Sequence, residues 1–249
     1  KMKKFIYLLL LLPMCGVAQE QLQNESAIFK AIEAKFKLDR RQVYWALYTE
    51  RGLKEDTIHK LVVFPLKKRS KDKMLYDAYV VLYNLQKQMI DNYYIGEGEW
   101  EDSDRGRLQG LEVASQTPQL GKKAIAYQVR VFFSNADRNK PMGSEVLTYF
   151  ISKGKKLQKV LSTDIFSYTA DISGGGTAKT PCEGEKKEMS SKLHISEHKV
   201  RGFYTIEETR VTKQIKIERD AEGFCAERVV DSKEDVIQMQ YKKGKYQPQ

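Results

Sequence analysis

Two histidines and a glutamate in this chain have the spacing of a zinc-peptidase site. His194, Glu197 and His198 form the pattern H-x-x-E-H, in a sequence that contains 3 histidines in all. On a helix, residues four positions apart share one face, so both imidazoles would bind one zinc ion while the glutamate acts as general base. A zinc-dependent hydrolase is therefore one hypothesis for this chain.

The residues that follow the pattern favour a different interpretation. The segment from Lys199 to Tyr204 is typical of a strand, and a strand would leave both imidazoles exposed on one face. Short motifs of this kind often match by chance. We therefore expect no metal at His194 and His198 and no catalytic role for Glu197, and the zinc hydrolase is kept as the alternative.

The beginning of the sequence has the pattern of a secretory leader. Three lysines at positions 1, 3 and 4 precede an apolar run over 5–12 that is too short to span a bilayer. Gly16-Val17-Ala18 is a small-x-small cleavage site, so residues 1–18 are predicted to be a signal peptide that is cleaved after Ala18. The alternative is a lipoprotein anchored at Cys15, because Leu12 to Cys15 resemble a lipobox. Either way the protein is expected to be periplasmic or secreted.

Cleavage of this leader would leave two cysteines, Cys182 and Cys225. Because thiols are oxidised in exported proteins, we predict that these two form a disulfide bond. A structural zinc site made of the same cysteines with His194 and His198 has suitable ligand types, but its spacing is that of no zinc finger. No cofactor is expected.

The positive charge of the chain is concentrated where turns are expected. The formal net charge is +10, and the basic clusters lie over 67–73, 153–156 and 242–245, each between apolar alternating runs. Solvated turn residues explain these clusters better than an anionic partner does. Nucleic acid is also disfavoured by the predicted export, so we expect the partner to be an unidentified macromolecule or a surface glycan.

The periodicity of the apolar residues predicts helices first and strands afterwards. Residues 26–37 have a helical period and Ser26 as N-cap, and residues 40–51 suggest a second helix, although a strand is left open at Val43 to Trp45. From residue 59 the period is two. The strands are predicted over 60–66, 76–85, 124–134, 145–152, 157–162, 203–208, 211–218 and 236–247, and the stretches 134–144 and 171–188 are predicted as surface loops.

These elements predict an α+β fold, mainly antiparallel sheet with one or two N-terminal helices. Residues 19–249 are expected to form one domain, with a helical part over 19–58 and a β-rich part over 59–249. No later segment is long and apolar enough to be a transmembrane span.

Part of the chain, over residues 58–162, resembles a group of uncharacterised secreted or periplasmic β-rich proteins of Gram-negative bacteria. The resemblance implies a β-rich fold and an exported location, and it implies no activity. Within the pattern, Ala114 and Pro118 stand where the group has an aspartate and a tyrosine. The matching residues are Val62, Val63, Pro65, Asp77, Ala78, Val80, Ser103, Asp104, Leu108, Leu111 and Leu120.

The sequence thus favours a non-catalytic protein of the bacterial envelope that acts as a binding or interaction module. It contains 14 tyrosines and 10 phenylalanines, which together with long strands offer a binding surface. No arrangement of acid and base residues other than the H-x-x-E-H pattern suggests catalysis.

Overall fold

The computed structural model describes residues 27–69, 73–103, 106–173 and 182–249. Strands hold 71% of these residues and helices 8%. One α-helix, α1 (27–36), is followed by two 3-10 helices, Arg40–Gln42 and Trp45–Leu47. The strands are β1 (Thr49–Gly52), β2 (His59–Arg69), β3 (Met74–Asn84), β4 (Met89–Glu101), β5 (Arg107–Val113), β6 (Gln119–Gly121), β7 (Ala124–Ser134), β8 (Met142–Lys153), β9 (Lys156–Ser173), β10 (Glu183–Val200), β11 (Phe203–Arg219), β12 (Cys225–Lys242) and β13 (Lys245–Pro248).

Six of the strands close into a barrel. β9 pairs with β8, β8 with β7, β7 with β6, β6 with β11, β11 with β10, and β10 again with β9. The other strands extend this ring: β1 to β4 form an antiparallel meander that joins β9 through β4, β5 pairs with β7, and β12 and β13 continue from β11. All these pairs are antiparallel except the one between β4 and β9.

The predicted α+β class is therefore wrong, because the described residues form a β-barrel with one α-helix. The helix predicted over 26–37 is present as α1. The second helix, predicted over 40–51, does not form, since Val43 makes a β-bridge to Leu66 and Thr49–Gly52 pairs with β2. The predicted loop over 171–188 is largely strand, because β9 runs to Ser173 and β10 begins at Glu183. The predicted signal peptide, residues 1–18 with Cys15, lies outside the described residues.

The meander is covered on both faces, which explains why its strands are apolar on both. On β2, Val62 and Phe64 face α1, whereas Leu61 and Val63 pack towards β7 and β8. This alternation follows from the two-residue period of a strand. Helix α1 contributes three fully buried apolar side chains to its side of the meander: Ile28, Phe29 and Ile32.

The barrel encloses a second apolar core. Leu147 and Tyr149 from β8 meet Ile206 from β11 and Met239 from β12. Farther along, β9 to β12 extend beyond this core as a four-stranded sheet, since each strand has 17 or 18 residues. This long extension gives the molecule most of its exposed strand surface.

A disulfide bond joins Cys182, just before β10, to Cys225, the first residue of β12. The prediction of this bond is confirmed. The two Cα atoms are 5.5 Å apart, and Cys182 is buried. The bond ties together two strands that flank β11, and so it fixes the end of the extension.

Replacing both cysteines, as Cys182→Ser with Cys225→Ser, is expected to destabilise the protein. For a sequence separation of 43 residues, the chain-entropy model gives about 4 kcal/mol. Urea unfolding of the oxidised wild type and of the double variant, which has no such bond, measures the difference. Equal unfolding free energies would contradict a constraint on the unfolded chain, and two alkylated thiols on the denatured, unreduced wild type would contradict the bond itself.

Candidate functional site

The residues of the H-x-x-E-H pattern lie on a strand. His194, on β10, is opposite Glu207 of β11, and the side chains of His194, Glu197 and His198 are exposed. These three residues lie within β10, but the strand predicted over Lys199 to Tyr204 is interrupted by a turn at Arg201-Gly202, where β10 ends and β11 begins. Over the described parts of the chain, no three or more His, Cys, Asp or Glu side chains are arranged to hold a metal ion. The two cysteines that would complete a zinc site are bonded to each other.

The third histidine, His59, forms a polar cluster that the sequence analysis missed. Its Nδ1 is 2.6 Å from Oδ2 of Asp56, and its Nε2 is 2.9 Å from Oδ2 of Asp91. Asn84 donates from Nδ2 to the same oxygen of Asp91 at 2.8 Å. The orientation of this amide is fixed, because its Oδ1 accepts the backbone N–H groups of Gln86 and Lys87.

This cluster, which we call the clamp, links two carboxylates through one imidazole. Each ring nitrogen of His59 faces a carboxylate oxygen, and its Nε2 also lies 3.3 Å from Nδ2 of Asn84. Hydrogen bonds from His59 and Asn84 lower the pKa of Asp91 below its usual value. The clamp joins β2, β3 and β4 at one end of the meander.

A cleft lies on the extension formed by β9 to β12, next to the segment that leads into β8. Its volume is about 640 Å³. Lysines and carboxylates both line it, and two of the lysines are already paired, Lys186 with Glu188 and Glu227, and Lys216 with Glu218. This mixed lining does not define the charge of a ligand. The residues that line the cleft are Lys140, Pro141, Met142, Thr169, Ala170, Asp171, Glu185, Lys186, Lys187, Gln214, Ile215, Lys216 and Val230.

The outer side of β12 is the feature best suited to binding a polypeptide. β13 pairs only with residues 239–242, and no other described strand lies on that side of residues 226–237. Exposed large hydrophobic side chains are concentrated here, with Val236 56% exposed and Val229, Val230 and Phe224 also exposed. Unpaired N–H and C=O groups of an edge strand are a template for another strand.

The direction of these backbone groups follows from the hairpin between β12 and β13. Lys242 and Lys245 flank a two-residue turn, Lys243-Gly244, in which both residues have positive φ. In such a hairpin the flanking residues are hydrogen-bonded to each other. Every second residue before Lys242 therefore directs its N–H and C=O away from β11. The bond from the N–H of Gln249 to the C=O of Gln238 agrees with this alternation.

The residues with outward backbone groups are then Ser232, Glu234 and Val236. We call residues 231–237 the open edge of β12. Its lower limit is a bulge at Val230, since Gln214 pairs with Asp231 and Ile215 with Val229. Its upper limit is Gln238, whose C=O is bonded to Gln249. By contrast, the outer end of β9 is covered, because the N–H groups of Ala170 and Ile172 bond to the segment before β8.

No family model, no curated protein and no solved structure matches the chain. None of the helices in the described ranges has the length and apolar character to cross a bilayer.

The sequence carried a weak signal for the His59 clamp. Asp56, His59, Asn84 and Asp91 all stand at the ends of predicted or actual strands, where turns bring polar residues together. The open edge gave no such signal, because unpaired backbone groups depend on which strands become neighbours.

Alanine at both positions of the pattern, His194→Ala and His198→Ala, is expected to change the unfolding free energy by less than about 0.5 kcal/mol, because exposed side chains away from special contacts contribute little. Urea unfolding with and without added zinc measures this. A stabilisation by zinc that disappears in the double variant would restore the metal-site hypothesis.

The clamp makes part of the stability depend on pH. Because the pKa of Asp91 is lowered in the folded state, its contribution is present above the unfolded pKa and is lost as the pH falls through the folded pKa. Asp91→Asn is expected to cost about 1 kcal/mol at pH 7, from a weakened charge-assisted hydrogen bond. The difference from the wild type should shrink towards zero in acid.

Urea unfolding at several pH values measures this difference. The matched control is Glu97→Gln, an exposed carboxylate on the same strand, which should cost little at any pH. A cost for Asp91→Asn that is independent of pH would contradict the clamp.

Proposed function

We propose that this protein is an exported, non-catalytic interaction module that binds another polypeptide through the open edge of β12. The observation that supports this most directly is a row of backbone groups at Ser232, Glu234 and Val236 with which no described strand pairs. Of these, the N–H of Ser232 donates to the exposed side chain of Asp231. An added strand would form main-chain hydrogen bonds to these groups, which is the mode of recognition called β-augmentation.

The side chains of this region are consistent with a partner. Val236 offers exposed apolar area inside the open edge, and Val229, Val230 and Phe224 extend it beyond the bulge. Apart from the adjacent Val229 and Val230, these side chains are separated along the chain, and each offers apolar area that an added strand would cover. A polypeptide partner fits this edge better than a glycan, because a glycan does not pair with a strand.

Two findings favour a binding role over a catalytic one. The zinc-peptidase pattern lies on a strand without further metal ligands in the described segments, and both ring nitrogens of His59 face carboxylates. A hydrolase at Glu197 has no observation in its favour, and we do not propose it.

Export is supported by the disulfide bond and by the leader pattern. A disulfide between Cys182 and Cys225 is of the kind that persists in oxidising compartments. Cleavage after Ala18 and the lipid anchor at Cys15 both stay predictions, as does the resemblance of residues 58–162 to secreted proteins.

The proposed binding mode is tested by site-specific photo-cross-linking in cells that export the chain. A photoreactive residue at position 236 should form adducts with a second polypeptide. The matched control is position 209, because Thr209 lies directly opposite Val236 but inside the sheet, on β11. Adducts at 236 that are absent at 209 are the expected result.

Proline at position 232 then tests whether backbone pairing causes the adducts. Ser232→Pro removes an outward N–H, which in the free chain donates to Oδ1 of Asp231, and leaves the ladder to β11 intact, as edge strands tolerate. It should abolish the adducts at 236, whereas Ser232→Ala should keep them. Adducts that persist in the proline variant, or equal adducts at 236 and 209, would contradict the proposed function.

A further inference from the structure

We infer that the partner of the open edge is a second copy of the same chain, paired antiparallel through β12 with a two-fold axis at Glu234. This inference rests on the proposed function and names the partner for the same surface. Two identical edge strands that pair in this way form a closed, symmetric dimer.

The length of the free strand limits the possible registers. The open edge ends at the bulge of Val230 on one side and at Gln238, already bonded to Gln249, on the other. An antiparallel pair centred on Glu234 involves residues 231–237. It therefore avoids both the bulge at Val230 and the bonded C=O of Gln238. A two-fold axis at Ser232 would place the bulge at Val230 inside the paired segment. An axis at Asp235 or Val236 would require the C=O of Gln238, which is already bonded to Gln249.

Charge disfavours the one remaining register, because it has three like-charge pairs and no opposite-charge pair. A pair centred on Lys233 places that lysine opposite itself and Asp231 opposite Asp235 of the second copy. Like charges directly opposite each other destabilise an antiparallel pair. The register centred on Glu234 instead places Lys233 opposite Asp235 of the second copy, and does so twice because of the symmetry.

The backbone groups agree with this register. Ser232 lies opposite Val236 of the second copy, and Glu234 lies opposite itself. All of these residues direct their N–H and C=O outward, so each pair can exchange two hydrogen bonds once the N–H of Ser232 leaves its acceptor, Oδ1 of Asp231. The side chains of Lys233 and Asp235 lie on the same face of β12, where their Nζ and Oδ1 atoms are 2.8 Å apart within one chain.

Glu234 sets the strength of the dimer. At the two-fold axis its carboxylate faces that of the second copy, which weakens pairing without preventing it. Charged residues on edge strands limit uncontrolled association in natural proteins. The dimer should therefore depend on concentration, and removal of the charge at this one position should tighten it.

Sedimentation equilibrium of the purified, oxidised full chain over a range of concentrations tests the inference. The wild type should dimerise, and Glu234→Gln should lower the dissociation constant by about two- to fivefold, as expected for removing one like-charge pair. Lys233→Asp alone and Asp235→Lys alone should each raise it by about tenfold. The double variant with both changes should return to the wild-type value, because the opposite charges are exchanged.

The control is Glu222→Gln, since Glu222 is exposed in the turn before β12 and lies outside this register, and it should leave the dissociation constant within about twofold of the wild type. A large effect there, together with no rescue by the exchange, would overturn the register. Far-UV circular dichroism and thermal unfolding check that each variant is folded. The charge variants keep the test valid even where Ser232→Pro fails to fold.

The outcomes separate this inference from the proposed function. If the chain stays monomeric at every concentration while position 236 still forms adducts that Ser232→Pro abolishes, the second copy is excluded and strand addition to another protein stands. If the adducts are also absent, both fail. Dimers that Glu234→Gln tightens and the charge exchange restores support the inference.

Discussion

Backbone pairing along β9 is the interaction on which the rest of this structure depends. β9 pairs with β8 over most of its length, with β10 over its outer half, and with β4 at Lys156. It thus belongs to the barrel and at the same time holds the meander that α1 covers. Two register shifts between β8 and β9, next to Glu145 and Tyr149, mark bulges that bend the strand. Bulges increase the local twist, which a sheet needs in order to close on itself.

The same strand determines where the molecule leaves backbone groups unpaired. Because β9 extends beyond the paired part of β8, the segment before β8 covers the outer end of β9. It does so through the C=O groups of Asn139 and Pro141. At the opposite side of the extension, β13 is too short to cover β12 in the same way. The open edge is therefore a consequence of strand lengths, and the disulfide at Cys225 holds the end of β12 in place. A rigid, exposed strand loses less conformational entropy on binding than a mobile one.

The sequence predicted well those elements in which the spacing of the apolar residues matches the face that is buried. α1 and β7 were found with nearly their observed bounds, since Ile28 and Ile32 have a helical period and Tyr127, Val129 and Val131 alternate. β10 was missed over its first half because residues 183–188 are polar on both faces, so their pairing to β9 and β11 leaves no apolar pattern. The barrel could not be predicted at all, because its closure depends on pairs between strands far apart in the chain, such as Gly121 with Phe203.

Hydrogen exchange of the β12 amides, followed by NMR at low protein concentration, tests the central claim most directly. If the edge is open, the N–H groups of Glu234 and Val236 should exchange fast, and that of Ser232 should follow closely because its acceptor is the exposed side chain of Asp231. Those of Lys233 and Asp235, which face β11, should be protected. At high concentration the fast amides should become protected as well. Protection of all five amides in the dilute monomer would contradict the account, because it would mean that another part of the chain already covers this edge.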